Sequence, residues 1–290
     1  MTLFIDDDKK AYSAKDIQES LKAVGAHDGE VIFLHSDISF GRLASGLKPK
    51  EYLGELKNCF DNVGIENLVV PTFTYSFANN ETFDVRNSKT YMGAFNEYLR
   101  NTMGGGGYYR TLDPLLSLCV PKSLQKDYEK LSEHSLGIGG GIDMFRKNNK
   151  NGGYKFLFFG ARLPTSFTYI HYVEKIKNVP YRFDMKFQGK VVDYNGVENE
   201  ATQYIHTHCF GVKQAQDAQY FEDYLVENGF LKKCRLGNLS VACISERDAF
   251  MQISKKIDGD INYFLDTPFK PQDLICQYGY DPKVERITHC

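Results

Sequence analysis

The apolar positions fall into blocks of two kinds. Val31 to Leu34 and Asn67 to Val70 are short apolar runs that end in polar residues, His35-Ser36-Asp37 and Pro71-Thr72-Phe73-Thr74. Between them, from about Lys50 to Val63, apolar side chains return every three or four places. Strands buried on both faces read as continuous runs and an amphipathic helix reads with its own period, so this stretch predicts a βαβ unit. Upstream, Ser13 with Asp16 three residues later has the form of a capping box, and Ile17, Leu21 and Val24 share one helical face before Gly25 stops it.

A third buried run, Tyr154 to Phe159, leads into Gly160 and then into a helix expected from about Ser166 to Ile176. After Pro180 the pattern alternates, in Tyr181 to Phe187 and in Ala201 to Thr207, with Asn195-Gly196 as a turn signal, which predicts antiparallel strands. Further helices are expected near Met92 to Arg100, Ile142 to Lys147, Gln216 to Asn228 and Glu246 to Ile257, with short strands around Cys234 and Val241. The fold class is therefore α/β (α+β): a central mixed sheet flanked by helices, antiparallel in its C-terminal part. No repeat or linker divides residues 1–290, so one domain is expected; a pocket-forming subdomain after Pro180 is the alternative. In such sheets ligands bind beyond the carboxyl ends of the strands.

Composition narrows the partners. With 25% charged residues and a formal net charge of -2, nothing attracts a nucleic acid or an acidic membrane surface, and a small-molecule partner is expected. The N-terminus carries three consecutive aspartates and no basic leader, and no apolar stretch approaches the ~20 residues that span a bilayer, so a cytoplasmic location is expected. Seven dispersed cysteines suggest reduced, mostly buried thiols.

Several motifs compete for the chemistry. Gly137 to Gly141 has no apolar strand before it and lacks the spacing of a dinucleotide fingerprint, so it is expected to be a loop, and Gly104 to Gly107 lacks the Lys-Ser/Thr of a phosphate loop, so a flexible turn or lid is expected there. His206, His208 and Cys209 suggest a metal site, because residues 206 and 208 share a strand face, but further ligands at regular spacing are absent and no metal is expected. A serine hydrolase is disfavoured by the absence of a GxSxG elbow. His171 with Glu174 at i+3 is the pairing that a general base and its orienting carboxylate would take on a helix.

The order of the strand-end segments resembles the aminoglycoside 3-N-acetyltransferases. It comprises Leu34-His35-Ser36-Asp37, Val70-Pro71-Thr72-Phe73-Thr74, Phe83-Asp84, Met92-Gly93-Ala94, Arg110-Thr111-Leu112-Asp113-Pro114 and His171-Tyr172-Val173-Glu174. Val179-Pro180-Tyr181-Arg182 and Arg235-Leu236-Gly237-Asn238 extend it over nearly the whole chain. The resemblance implies an acetyl-CoA donor and direct transfer to an amine without an acyl-enzyme, with His171 as base and Glu174 as its partner. It places donor contacts at His35, Ser36, Asp37 and Ile38, at Thr72 and Thr74, and at Arg110 with Thr111. Acceptor contacts are expected from Tyr75, Phe77, Asp84, Asp113 and Tyr169.

At three positions the chain departs from the family's usual pattern: Asp37 and Gly140 stand where serine is common, and Asp113 where histidine is usual. Together with the many rings in these segments, which can stack a pyranose or a nucleobase, the departures favour as acceptor a nucleotide-linked amino-deoxy sugar for a surface polysaccharide. An aminoglycoside, with resistance as the consequence, is the alternative. A non-catalytic CoA- or sugar-binding protein is the second. A homodimer is the expected assembly.

Overall fold

A computed structural model describes residues 1–103, 107–209, 211–215 and 217–270. Its centre is a seven-stranded mixed sheet, in the order Lys232–Leu236, Leu239–Ser245, Tyr154–Phe159, Val31–Ser36, Leu68–Pro71, Leu118–Pro121, Tyr108–Arg110. Val31–Ser36 runs parallel to Tyr154–Phe159 on one side and to Leu68–Pro71 on the other. The remaining pairings in the sheet are antiparallel.

The continuous apolar runs have a direct cause. Val31, Phe33, Phe156 and Phe158 belong to the core on one face of the sheet, whereas Ile32, Leu34, Leu157 and Phe159 belong to the core on the other. Alternate side chains of a strand point to opposite faces, so a strand covered on both sides is apolar along its middle, with polar residues such as Lys155, His35 and Ser36 kept toward its ends. The helix Pro49–Asn62 connects the first two central strands, buries Tyr52, Leu56, Cys59 and Phe60, and has proline at its first turn. The N-terminal helix Ala14–Ala23 begins with the expected box, Ser13 N–H donating to the Asp16 carboxylate at 2.7 Å.

Three features departed from the sequence expectation. The aspartate-rich N-terminus is a small hairpin, Thr2–Ile5 with Ala11–Ser13, whose turn is closed by Asp6 accepting from Lys10 N–H at 2.8 Å and Tyr12 Oη at 3.0 Å. The stretch around Leu118 forms two sheet strands that are too short to show a period. Of the cysteines, Cys59, Cys119, Cys234 and Cys243 are free thiols, but Cys209 is disulfide-bonded, contrary to a fully reduced set. The segment Gly104 to Gly106 lies outside the described residues.

The C-terminal alternation folds as expected into a long hairpin, Arg182–Val192 with Glu198–His208, in register from Arg182↔His208 to Val192↔Glu198. Among the described residues no helix is long and apolar enough to cross a membrane.

Gly160 marks the corner where the third parallel strand ends. A Cβ there would lie 1.8 Å from the Asp37 carbonyl oxygen, and its φ is +78°. Side chains other than glycine's are both strained and blocked at such a point. Gly160→Ala is expected to lower the unfolding free energy by about 2 kcal/mol or more, read by urea denaturation.

Candidate active site

The three parallel strands end at one open cleft of about 1140 Å³. The strand order reverses at Val31–Ser36, which has a parallel neighbour on each side, and a crevice is expected at such a point. Its floor includes His35, Ser36, Pro71 and Phe73 from the strand ends, and the long hairpin contributes Arg182, Phe183, Met185 and Ile205 to the wall. The cleft thus draws residues from both sides of Pro180.

Asn96 ties the strand ends together. Its side-chain nitrogen donates to the Pro71 carbonyl at 2.9 Å, and its side-chain oxygen accepts from Ser36 Oγ at 2.6 Å. Tyr75 lines the cleft with φ at +49°, an unusual backbone for a ring-bearing residue, and such conformations persist where the surroundings over-determine them.

The helix bearing His171 is shorter than expected: Phe167 and Thr168 separate the turn Leu163–Ser166 from Tyr169–Ile176. Its far side is anchored by Tyr169 Oη donating to Glu246 and Tyr172 Oη donating to Asp143 at 2.8 Å. With these tyrosines turned into the core, His171 is left on the cleft side with its side chain 22% exposed, while Glu174 is fully buried behind it.

The pair is held closely. His171 Nδ1 lies 2.9 Å from Glu174 Oε2, Arg182 forms an ion pair with the same oxygen at 2.7 Å from its Nε, and Tyr181 Oη donates to Oε1 at 2.9 Å. Nδ1 stands 2.9 Å both from this carboxylate, which can only accept, and from Arg182 Nη2, which can only donate; the tautomer with the proton on Nδ1 satisfies the carboxylate and is the one that leaves Nε2 basic. Gln214 stands alongside, its oxygen accepting from Arg182 Nη2 at 2.8 Å. Burial and the adjacent Arg182 guanidinium hold the His171 pKa below its ordinary 6.5, outweighing the pull of Glu174. Burial opposes the charge of Glu174, yet Arg182 and the ring bring its carboxyl down to about 2. The imidazole is thus neutral at physiological pH.

The other candidate residues divide. His35 and Ser36 line the cleft; His35 stacks on Phe158 at 5.0 Å, and burial keeps it neutral by pushing its pKa down to about 3. Asp37 is exposed beside the cleft, its carboxylate accepting from Ser39 N–H at 2.9 Å, and Ile38 packs into the second core.

Thr72, Thr74, Arg110 and Thr111 lie away from the cleft wall, buried, with their polar groups already used. Arg110 donates to the carbonyls of Thr72, Val85 and Ser88, Thr72 and Thr74 donate to Ser117 and Pro114, and Thr111 accepts from Leu118 N–H. A guanidinium enclosed by carbonyls braces a loop and has no face left for a phosphate.

Among the expected acceptor contacts only Tyr75 reaches the cleft. Phe77 packs under Gly189, Tyr169 is in the core, and Asp84 caps a turn by accepting from Arg86 and Asn87 N–H. Asp113 is buried and accepts from Leu115 and Leu116 N–H, and burial raises its pKa. Sequence reading missed Asn96, Gln214 and the role of Arg182, which sat in a quoted motif without a partner assigned.

The suggested metal cluster does not assemble. His206 Nδ1 contacts Asp184 at 2.9 Å, and among the described residues no group of three or more His, Cys, Asp or Glu side chains is placed to hold an ion. The Gly137 to Gly141 loop caps the helix Gly141–Asn148; a Cβ on Gly140 would lie 2.4 Å from the His134 carbonyl.

Comparison with known proteins follows the geometry. A family model described as aminoglycoside 3-N-acetyltransferase matches residues 55–257. The fold is similar to that of AAC-VIa bound to sisomicin, with a TM-score of 0.68 at 16% identity over 86% of this chain and 98% of that one. It is similar to AAC-IIIb with CoASH, with a TM-score of 0.65 at 17% identity over 89% and 99%. It is also similar to the YokD protein from Bacillus subtilis, with a TM-score of 0.66 at 16% identity over 86% and 94%. None of the curated proteins matches the chain.

Proposed function

The chain belongs to the aminoglycoside 3-N-acetyltransferase family, and on that premise we propose that it transfers the acetyl group of acetyl-CoA directly to the amine of an amino sugar, with His171 as general base. The observation that carries this reading is the Glu174–His171 pair at the cleft wall, an arrangement in which a proton held on Nδ1 by the carboxylate makes Nε2 the basic nitrogen.

The chemistry follows from that lone pair. The neutral amine attacks the thioester carbonyl carbon, its proton passes to His171 Nε2, the C–S bond breaks, and the imidazolium returns that proton to the departing sulfur, so that CoA leaves as the thiol and the base is restored. Glu174 fixes the tautomer and steadies the imidazolium as it forms, while Arg182 keeps Glu174 ionised. A purely binding protein would have no use for an oriented, neutral imidazole, and this favours a catalytic reading over the non-catalytic one.

The cleft exceeds the ~300–1,000 Å³ of ordinary ligand pockets, leaving room for a pantetheine arm and a sugar together. We assign the donor to the His35–Ser36 end of the cleft and the hydroxyl-rich stretch of Thr165, Ser166 and Thr168, in place of the buried Arg110 and Thr111. Because cleft residues come from both sides of Pro180, the chain is taken as one functional unit.

For the acceptor, the family match and the sisomicin-bound neighbour speak for an aminoglycoside more directly than for a nucleotide-linked amino-deoxy sugar. The test is a thiol-release assay with acetyl-CoA across a panel of amines. Acetylated amine and free CoA in equal amounts are expected, and release of CoA without amine acetylation would remove the reading. With an accepted amine at saturation, the acid limb of kcat should fall below pH 6.5, since the His171 pKa is lowered and the proton must be off the ring for activity. An acid limb left unchanged by substitution of His171 would exclude it as the group responsible.

A further inference from the structure

The charges of the cleft bear on the acceptor. Among the described residues that line it, Asp266 is the only carboxylate; of the two cations, Arg182 is buried and neutralised by Glu174, and Lys213 is exposed. The carboxylates just behind the wall are already in use: Glu174 is held by Arg182 and His171, and Asp184 by Lys175, His134 and His206. Asp84 and Asp113, which a polycation would need, are spent on backbone N–H groups away from the cleft. Lys213 is exposed and is among the residues that line the cleft.

We propose that this cleft selects an amino sugar whose reacting amine is its only cationic group, on a scaffold that is uncharged or carries phosphate as a nucleotide-linked sugar does, and that it discriminates against polycations. The inference rests on the acetyltransferase reading and, on the charges of this cleft, departs from the aminoglycoside acceptor that the family match favours. A molecule with several ammonium groups must give up their hydration on entry, and here a single lining carboxylate, Asp266, is set against Lys213, so the loss is not repaid. A sugar with a single amine instead lays its apolar face on rings such as Tyr75 and Phe183 and presents one nitrogen, which need only be neutral to react. Lys213 adds attraction for a phosphate and repulsion for a second ammonium.

The experiment compares three acceptors at fixed acetyl-CoA: a nucleotide-diphosphate-linked amino sugar, the uncharged methyl glycoside of the same sugar, and polycationic sisomicin. At least one of the two monoamines should exceed sisomicin in kcat/KM by about 100-fold or more. Equal or better use of sisomicin would overturn the proposal, and the ranking of the two monoamines tells whether phosphate contributes.

Calorimetric titration of the same compounds into the CoA-loaded protein reads the preference without turnover. Selective binding of a monoamine with no transfer would therefore count against the acetyltransferase reading while leaving the charge selection standing. Lys213→Glu, at an exposed position, should shift the nucleotide-sugar to sisomicin ratio by roughly 10-fold toward sisomicin. An unchanged ratio would also contradict the proposal.

Discussion

Arg182→Met is expected to lower the unfolding free energy by about 3–5 kcal/mol, because it strands a buried carboxylate. Glu174 is fully buried and the Arg182 side chain is 4% exposed, so neither charge has water to fall back on. The Glu174 carboxyl sits at about 2, against 4.5 for the free side chain. A depressed carboxyl contributes stability above the unfolded pKa and loses it as the pH falls through the folded one, so this contribution is full above about pH 4.5 and fades toward pH 2. In Arg182→Met burial has the upper hand and the carboxyl takes up a proton at higher pH. Urea titration at pH 7 measures the loss.

A double variant, Glu174→Leu with Arg182→Met, separates stability from function. An apolar pair of similar volume often replaces a buried ion pair without loss, so much of the stability should return. Activity should not return, because His171 Nδ1 then lacks the acceptor that orients the ring. If the double variant were as unstable as the single one, packing rather than the stranded charge would be the cause.

His171→Ala is expected to reduce kcat by about 10²–10⁴-fold, the usual worth of a positioned base, or about 3–5 kcal/mol of barrier. The ring is partly exposed at the cleft wall, so its removal should leave the melting temperature and the Kd for CoA close to those of the wild type. A parallel loss of CoA affinity would point to a collapsed cleft. The comparison with Glu174→Gln is informative because glutamine keeps the volume and a hydrogen bond but not the charge. That variant should retain CoA binding and lose part of kcat.

Much of the architecture was legible because burial writes itself into the sequence. Val31 to Leu34, Leu68 to Val70 and Phe156 to Phe159 are apolar throughout inside a sheet covered on both faces, and they became the parallel strands. The hairpin after Pro180 was legible from alternation and its Asn195-Gly196 turn. The Tyr108–Arg110 and Leu118–Pro121 strands were not, since strands of three and four residues are shorter than any period that could announce them.

The site was legible where local spacing sets it and obscure where distant chain segments meet. His171 and Glu174 share a helix turn, so i, i+3 spacing was sufficient to pair them. Arg182 and Gln214 reach the same carboxylate and ring from other elements, 11 and 43 residues away from His171, and no pattern records such a meeting. Arg110 misled for the opposite reason. A conspicuous cation in a motif suggests a phosphate, but only coordinates reveal that its donors are spent on Thr72, Val85 and Ser88 carbonyls.

The most direct measurement is kcat for thiol release from acetyl-CoA with one accepted amine, followed across pH by the wild type and by His171→Ala. If the imidazole receives the amine proton, the wild type shows an acid limb with its midpoint below pH 6.5, and the variant shows a low rate from which that limb has gone. If the same limb persists in His171→Ala, another group takes the proton and the assignment of His171 is wrong.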